Sequence, residues 1–159
     1  TKAALIEKQN YLESLNITPK SGALQRWTGV EQYRIVDSVA LPKNATYQFV
    51  TVINLAGNEG IEQLSMVFKG YFYAEAEGLY EFATKSDDGS LLFIGDKMVV
   101  DNGGNHSAIE KNGMVALQKG WHPITIKYQE ATGGGELSVS FKAPNGEKQV
   151  LKGNVIAHD

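Results

Sequence analysis

A chain of 159 residues without cysteine fits one domain with a single sizeable core, and it excludes disulfides, thiolate metal sites and a cysteine nucleophile. The formal charge of −3, a pI near 5.6 and fifteen scattered basic residues argue against a nucleic-acid partner, because gripping phosphates takes clustered Lys and Arg. No run of eighteen apolar residues occurs, so membrane insertion is not expected, and the opening at Thr1 reads as that of a fragment or mature product.

Residues 3–15, AALIEKQNYLESL, place Ala4, Leu5, Tyr11, Leu12 and Leu15 roughly on one face of a 3.6-residue period, which predicts a short N-terminal helix. Pro19 and Gly22 break that pattern, and residues 16–26 read as an irregular lead-in. The division expected is a helical lead-in or linker over 1–29 and one domain over 30–159. From about residue 30 the texture changes to short Val, Ile, Tyr and Phe-rich runs. Tyr47, Phe49, Thr51 and Ile53 alternate with residues of the other face, and Phe68 to Tyr73 and Leu79 to Ala83 repeat the pattern. SLLFI at 90–94, KMVV at 97–100, PITIKY at 123–128 and ELSVSF at 136–141 continue it. Period-two alternation is what a sheet with one buried face requires. Glu77-Gly78, Asp88-Gly89, Gly95-Asp96, Gly103-Gly104, Lys119-Gly120, Gly133-Gly134-Gly135 and Asn145-Gly146 separate the runs. Breaks so closely spaced favour hairpins over helical crossovers, so the class expected is all-β, an antiparallel sandwich or barrel.

Three loops carry candidate chemistry. Asp87 and Asp88 precede Gly89, which reads either as a tight turn or as part of a hard-cation site, since calcium takes six to eight oxygen ligands. Two carboxylates do not fill such a site, so further donors must come from elsewhere. Asp101, Asn102, Gly103, Gly104, Asn105 and His106 form a second polar cluster, whose alternative reading is a glycine-bent loop held by Asx side-chain bonds. The third loop, Glu130 to Gly135, adds a carboxylate and exposed backbone carbonyls if it lies at the same end of the sandwich. A glycosidase acid and base pair sits about 5 to 9.5 Å apart across a cleft, whereas neighbouring side chains of a strand point to opposite faces. Asp87 and Asp88 therefore make a poor catalytic pair. His106, His122 and His158 lack metal-ligand spacing, and no nucleophile-elbow or phosphate-loop motif is present. Phe82, Phe93 and Tyr128 are expected to pack in the core.

The ordered series GYFYAEAEGLYEF, SDDGSLLFIGDKMVVDNGGNH, GMVALQKGWHPITIKYQEATGGGELSVSF and APNG resembles the protective-antigen-14 (PA14) domain, clearly over residues 64–151 and faintly over 30–63. The resemblance implies a β-sandwich and a non-catalytic module of secreted glycosidases, adhesins and toxins, placed outside the cell, in the periplasm or on the cell surface. Within fungal adhesin members, paired aspartates joined by a cis peptide hold calcium that chelates sugar hydroxyls; these match Asp87 and Asp88. The second calcium loop of those members begins with Asn where this chain has Glu130, and its carbonyls correspond to Thr132 and Gly134. The GGG in this loop is closer to the bacterial, glycosidase-associated type. Ile94-Gly95-Asp96 replaces the family's frequent Ile-Asp-Gly, and its N-terminal aromatic motif is reduced to Gln32-Tyr33-Arg34.

Two functions follow from this reading. One is a carbohydrate-binding module, calcium-assisted, with Asp87, Asp88, Asp101, Asn102, His106 and Glu130 at the ligand and Asp87, Asp88, Glu130, Thr132 and Gly134 around the metal. The alternative is a spacer that positions a neighbouring catalytic domain and binds no sugar. Neither makes this chain an enzyme in its own right.

Overall fold

The computed structural model describes residues 20–21, 23–30 and 46–158. The helix expected over 3–15 and the Gln32-Tyr33-Arg34 motif lie outside the described residues. The described elements are β1 (Lys20–Ser21), β2 (Leu24–Val30), β3 (Gln48–Val50), β4 (Leu64–Ala74), β5 (Gly78–Asp87), β6 (Gly89–Ile94) and β7 (Lys97–Asn102). They continue with β8 (Ile109–Leu117), β9 (Gly120–Glu130), β10 (Glu136–Lys142), β11 (Lys148–Val150), a 3-10 turn at Gly153–Val155 and β12 (Ile156–His158). Strands β1 and β2 fall in the stretch read as lead-in; Leu24 is fully buried there and pairs with Val50. No helix among the described residues is long and apolar enough to cross a membrane.

All described pairings are antiparallel and form two sheets. The larger runs β1-β12-β4-β9-β6-β7, with β2 also on β4 and β3 on β2; the smaller runs β11-β10-β5-β8. The expected antiparallel sandwich is therefore the architecture observed. Its spine is the pairing of β4 with β9, eleven residues on each strand, from Leu64 opposite Glu130 to Ala74 opposite Gly120.

Alternation decides what fills the space between the sheets. Leu64, Met66, Phe68 and Phe72 of β4 meet Ile124, Ile126 and Tyr128 of β9 and Leu92 and Ile94 of β6. Tyr80 and Phe82 of β5, Val115 and Leu117 of β8, and Leu137, Val139 and Phe141 of β10 complete the core from the smaller sheet. At its centre the Phe72 ring stands nearly perpendicular to Tyr80, Phe82 and Phe141, with centroids 5.6, 5.0 and 5.1 Å away. Edge-to-face packing of this kind adds about 0.5–1.5 kcal/mol per pair beyond area burial. Phe93, expected in the core, is only half-buried, because alternation turns it to the outer face, where Lys127 lies over its ring at 5.6 Å. The sheets close against each other where β7 meets β8: a Cβ on Gly113 would fall on the Val99 carbonyl oxygen.

The inward series changes character along the strands. On β5 it runs Tyr80, Phe82, Thr84, Ser86 and on to Asp88, just past the strand; on β9 it runs Ile124, Ile126, Tyr128, Glu130. One end of the sandwich is thus aromatic and aliphatic, and the other is hydroxyl and carboxyl. Ser90 Oγ lies 2.8 Å from Thr84 Oγ1 and 2.6 Å from Ser86 Oγ. The Asn102 amide donates to Thr84 O at 3.1 Å, Ser86 Oγ at 3.3 Å and Ile109 O at 2.9 Å. This network satisfies most of the groups that would otherwise be costly to bury, leaving Asn102 Oδ1 buried without a partner, and it floors the rim above it.

Candidate functional site

The rim collects three loops distant in sequence. The Asp87–Asp88 peptide bond is cis, as the resemblance implies. Asp88 is 7% exposed, and both its oxygens accept main-chain hydrogens: Oδ1 from the His106 amide at 3.0 Å and Oδ2 from the Ala131 amide at 2.8 Å. One carboxylate therefore ties the 103–106 loop to the glycine bend after β9. Gln129 reinforces the tie, its Nε2 donating to Asn105 Oδ1 at 2.9 Å and Gly104 O at 3.3 Å. The Tyr128 hydroxyl donates to the Asp87 carbonyl at 2.5 Å and lies 3.2 Å from Glu130 Oε2.

Among the described residues, Asp87, Asp88 and Glu130 each place a carboxylate oxygen within 4.8 Å of the other two. This is tighter than either spacing used by glycosidase carboxyl pairs, and it is the arrangement of groups that share a cation. Glu130 is 1% exposed, and its Oε1 is buried without a hydrogen-bond partner. Burial, then the charge of Asp88, pushes the Glu130 carboxyl up to about 7, against the opposing hydrogen bond from Tyr128. Burial and then Asp88 likewise raise Asp87, which is half-buried, and burial with neighbouring Glu130 holds the Tyr128 phenol well above its usual value. A divalent cation fits this donor set: hard oxygen ligands, mutual repulsion that a positive charge would relieve, and an orphaned buried acceptor.

The remaining predicted residues divide. Thr132 and Gly134 are exposed on the bend, where Ala131 and Gly135 touch the acidic group. A Cβ on Gly135 would come within 2.8 Å of Glu130 Oε2 and 2.9 Å of Tyr128 Oη, so glycine leaves the room in which the carboxylate sits. The His106 backbone binds Asp88, while its ring nitrogens face the carbonyls of Ser107 at 2.8 Å and Asn102 at 3.0 Å. Asp101 and Asn102 do not join the carboxylate group. Asp101 is exposed and caps its own turn, accepting from the Gly103 amide at 3.1 Å, whereas Asn102 is fully buried in the floor. Sequence reasoning missed the loop before β4. Leu55 packs beside Gly135, and Glu62 Oε1 accepts from the Gly133 amide at 3.3 Å. Only its Asn58, Glu59-Gly60 turn chemistry was visible, not its destination.

A two-sheet sandwich with a polar rim of converging loops defines a class of module rather than a single chemistry. The PA14 domain family model matches residues 36–153, and the chain belongs to that family. Over 142 residues the chain is 28% identical to the Beta-hexosaminidase of Porphyromonas gingivalis (strain ATCC BAA-308 / W83), a match covering 82% of this chain and 18% of that protein. Among solved structures, an anti-sigma factor domain-containing protein superposes with a TM-score of 0.71 at 15% identity, covering 87% of this chain and 49% of that one. The PA14 sugar-binding domain from an RTX adhesin gives a TM-score of 0.68 at 14% identity, covering 87% and 99%. The chain thus spans under a fifth of the hexosaminidase it resembles.

Proposed function

We propose that this PA14 domain is a non-catalytic carbohydrate-binding module that holds a calcium ion at the rim and engages glycans through it. The observation that carries the reading is the carboxylate group of half-buried Asp87 with buried Asp88 and Glu130, with an unpartnered Glu130 oxygen. Asp87 and Glu130 would supply carboxylate oxygens, and Thr132 and Gly134 on the exposed bend would offer backbone carbonyls. Asp88 has a second duty, because both its oxygens already hold loop amides. The bound ion supplies open coordination positions for vicinal hydroxyls. The protein's own contribution is pre-organisation: the hydroxyl floor, Gln129 and Asp88 hold three loops in register before ligand arrives.

The likeness to a sugar-binding adhesin domain supports the glycan reading, and the hexosaminidase match supports a glycoside hydrolase as the parent. Such a parent acts outside the cytoplasm, at the cell surface, in the periplasm or in the medium, and this domain would sit against its neighbouring domains. Calorimetric titration of calcium into the chelator-stripped domain at pH 7.5 tests the metal. The expected result is one saturable site, weakened at least about tenfold by Asp87→Asn, a loss of about 1.4 kcal/mol. Equal affinity in the variant, or no binding in the wild type, would place the metal reading in error.

A further inference from the structure

The pairing of β12 with β4 stops at Ile156 opposite Phe72. Val155, which would carry that ladder on to Tyr73, belongs to the 3-10 turn instead. The turn and the end of β4 therefore part, and a cleft of about 160 Å³ opens there, bordered by Tyr73 and Val155. Tyr73 and Leu64 stand near opposite ends of β4, so the cleft lies about 30 Å from the acidic rim at about 3.3 Å per residue of strand. The buried rings of Tyr80 and Phe141 floor it, and Ala143 lines its side. The Tyr80 hydroxyl is already engaged, donating to Ala76 O at 2.7 Å and accepting from the Ala76 amide at 3.2 Å, so the floor meets a ligand as apolar surface. The half-buried Tyr73 ring makes a wall that Trp121 holds in place, with centroids 4.9 Å apart and planes inclined by 54°.

Two polar side chains stand at the mouth, Glu75 just past β4 and Gln149 on β11, and both are exposed, so their heads are open to a ligand. Burial, opposed by the hydrogen bonds at Ala76, raises the Tyr80 phenol above its ordinary value, and the charge of Glu75 adds to the rise, so the field of the carboxylate reaches the floor. A carboxylate beside an aromatic wall attracts a cation twice, through its own charge and through the ring quadrupole. The apolar floor suits an unbranched alkyl stem. A lysine side chain joins the two, a stem that packs on apolar surface and an ammonium that donates to the Glu75 carboxylate and the Gln149 carbonyl oxygen. Strand β11 ends the smaller sheet and is exposed along its length, so a polypeptide passing that edge can reach in. We propose that this cleft is a docking site for a lysine side chain of a partner polypeptide, its ammonium held by Glu75 and Gln149 and its stem laid against Tyr73, Ala143 and Val155. The site needs no calcium, so it goes beyond the function proposed for the rim and stands or falls apart from it.

The test is an NMR titration of amide shifts in chelator with Nα-acetyl-lysine methylamide. Beside it run the norleucine counterpart, which keeps an alkyl stem and lacks the ammonium, and glucose. It uses the wild type, Glu75→Gln and Tyr73→Leu, with a thermal melt on each to establish folding. The lysine probe should shift the amides of Tyr73, Glu75 and Gln149 saturably, and the norleucine probe should bind at least about fivefold more weakly. Glu75→Gln should weaken lysine about fivefold and leave norleucine unchanged, and Tyr73→Leu should weaken lysine about threefold. Added salt should weaken the lysine probe and not the norleucine one. No saturable shift with lysine, norleucine or glucose bound as tightly as lysine, or undiminished lysine affinity in a folded Glu75→Gln would each overturn the proposal.

Discussion

Replacing Glu130 by Gln removes a charge and keeps the shape, which makes it a direct probe of the rim's electrostatics. In the cation-free protein the carboxyl stands at about 7, against 4.5 for an ordinary glutamate, because it is buried beside Asp88. Below pH 4.5 folded and unfolded chains both hold the proton, and the group is neutral to stability. Between 4.5 and 7 the folded state keeps a proton that the unfolded chain has released, so stability falls as pH rises. Above 7 the full penalty is present, about 3 kcal/mol at roughly 1.4 kcal/mol per pH unit. Asp87, raised by burial and Asp88, acts with the same sign. Glu130→Gln escapes the penalty. In chelator at pH 8 it should therefore melt about 6–12 °C above the wild type, at about 2–4 °C per kcal/mol for a chain of this size, and at pH 5 within about 2 °C of it. Millimolar calcium should reverse the order at pH 8, raising the wild type and leaving the variant nearly unmoved. A variant that melts below the wild type in chelator at pH 8, or that gains as much from calcium, refutes the reasoning.

Other outcomes follow from single contacts. Asp88→Ala strands the amides of His106 and Ala131 and should cost about 2–4 kcal/mol in urea unfolding with or without calcium; a loss seen only in calcium would assign Asp88 to the ion alone. Gly135→Ala drives a methyl against Glu130 and Tyr128 and should lower calcium affinity by more than it lowers stability in chelator; equal calcium affinity in calorimetry would mean the bend yields freely. Gly113→Ala sets a Cβ on the Val99 carbonyl and should destabilise by about 1–3 kcal/mol without changing calcium affinity per folded molecule; an unchanged urea midpoint would show that the β7 and β8 edges are not in firm contact.

Much of the fold was legible because its strands alternate strictly. Ile124, Ile126 and Tyr128 announce a buried face, and continuing that count places Glu130 inward. The same count on β7, from Val100 to Asn102, separates a buried Asn102 from an exposed Asp101, a distinction that grouping them as one polar loop erased. Strand β8 was not among the runs read from the sequence, since Ile109 to Asn112 are exposed and carry no alternation. Thr84, Ser86 and Ser90 drew no expectation from the sequence, because hydroxyls usually face water; here they satisfy one another beneath the rim. Leu55 and Glu62 reach the bend at 131–135 across some seventy residues of chain, a closure fixed by strand order that local pattern does not encode.

The proposed function requires that the acidic rim read sugar through a cation. A glycan array probed with one chelator-stripped preparation, with and without millimolar calcium, tests it most directly. The expected result is retention of a defined group of glycans in calcium and its disappearance in chelator. Retention that is indifferent to calcium, or none in either condition, would contradict it.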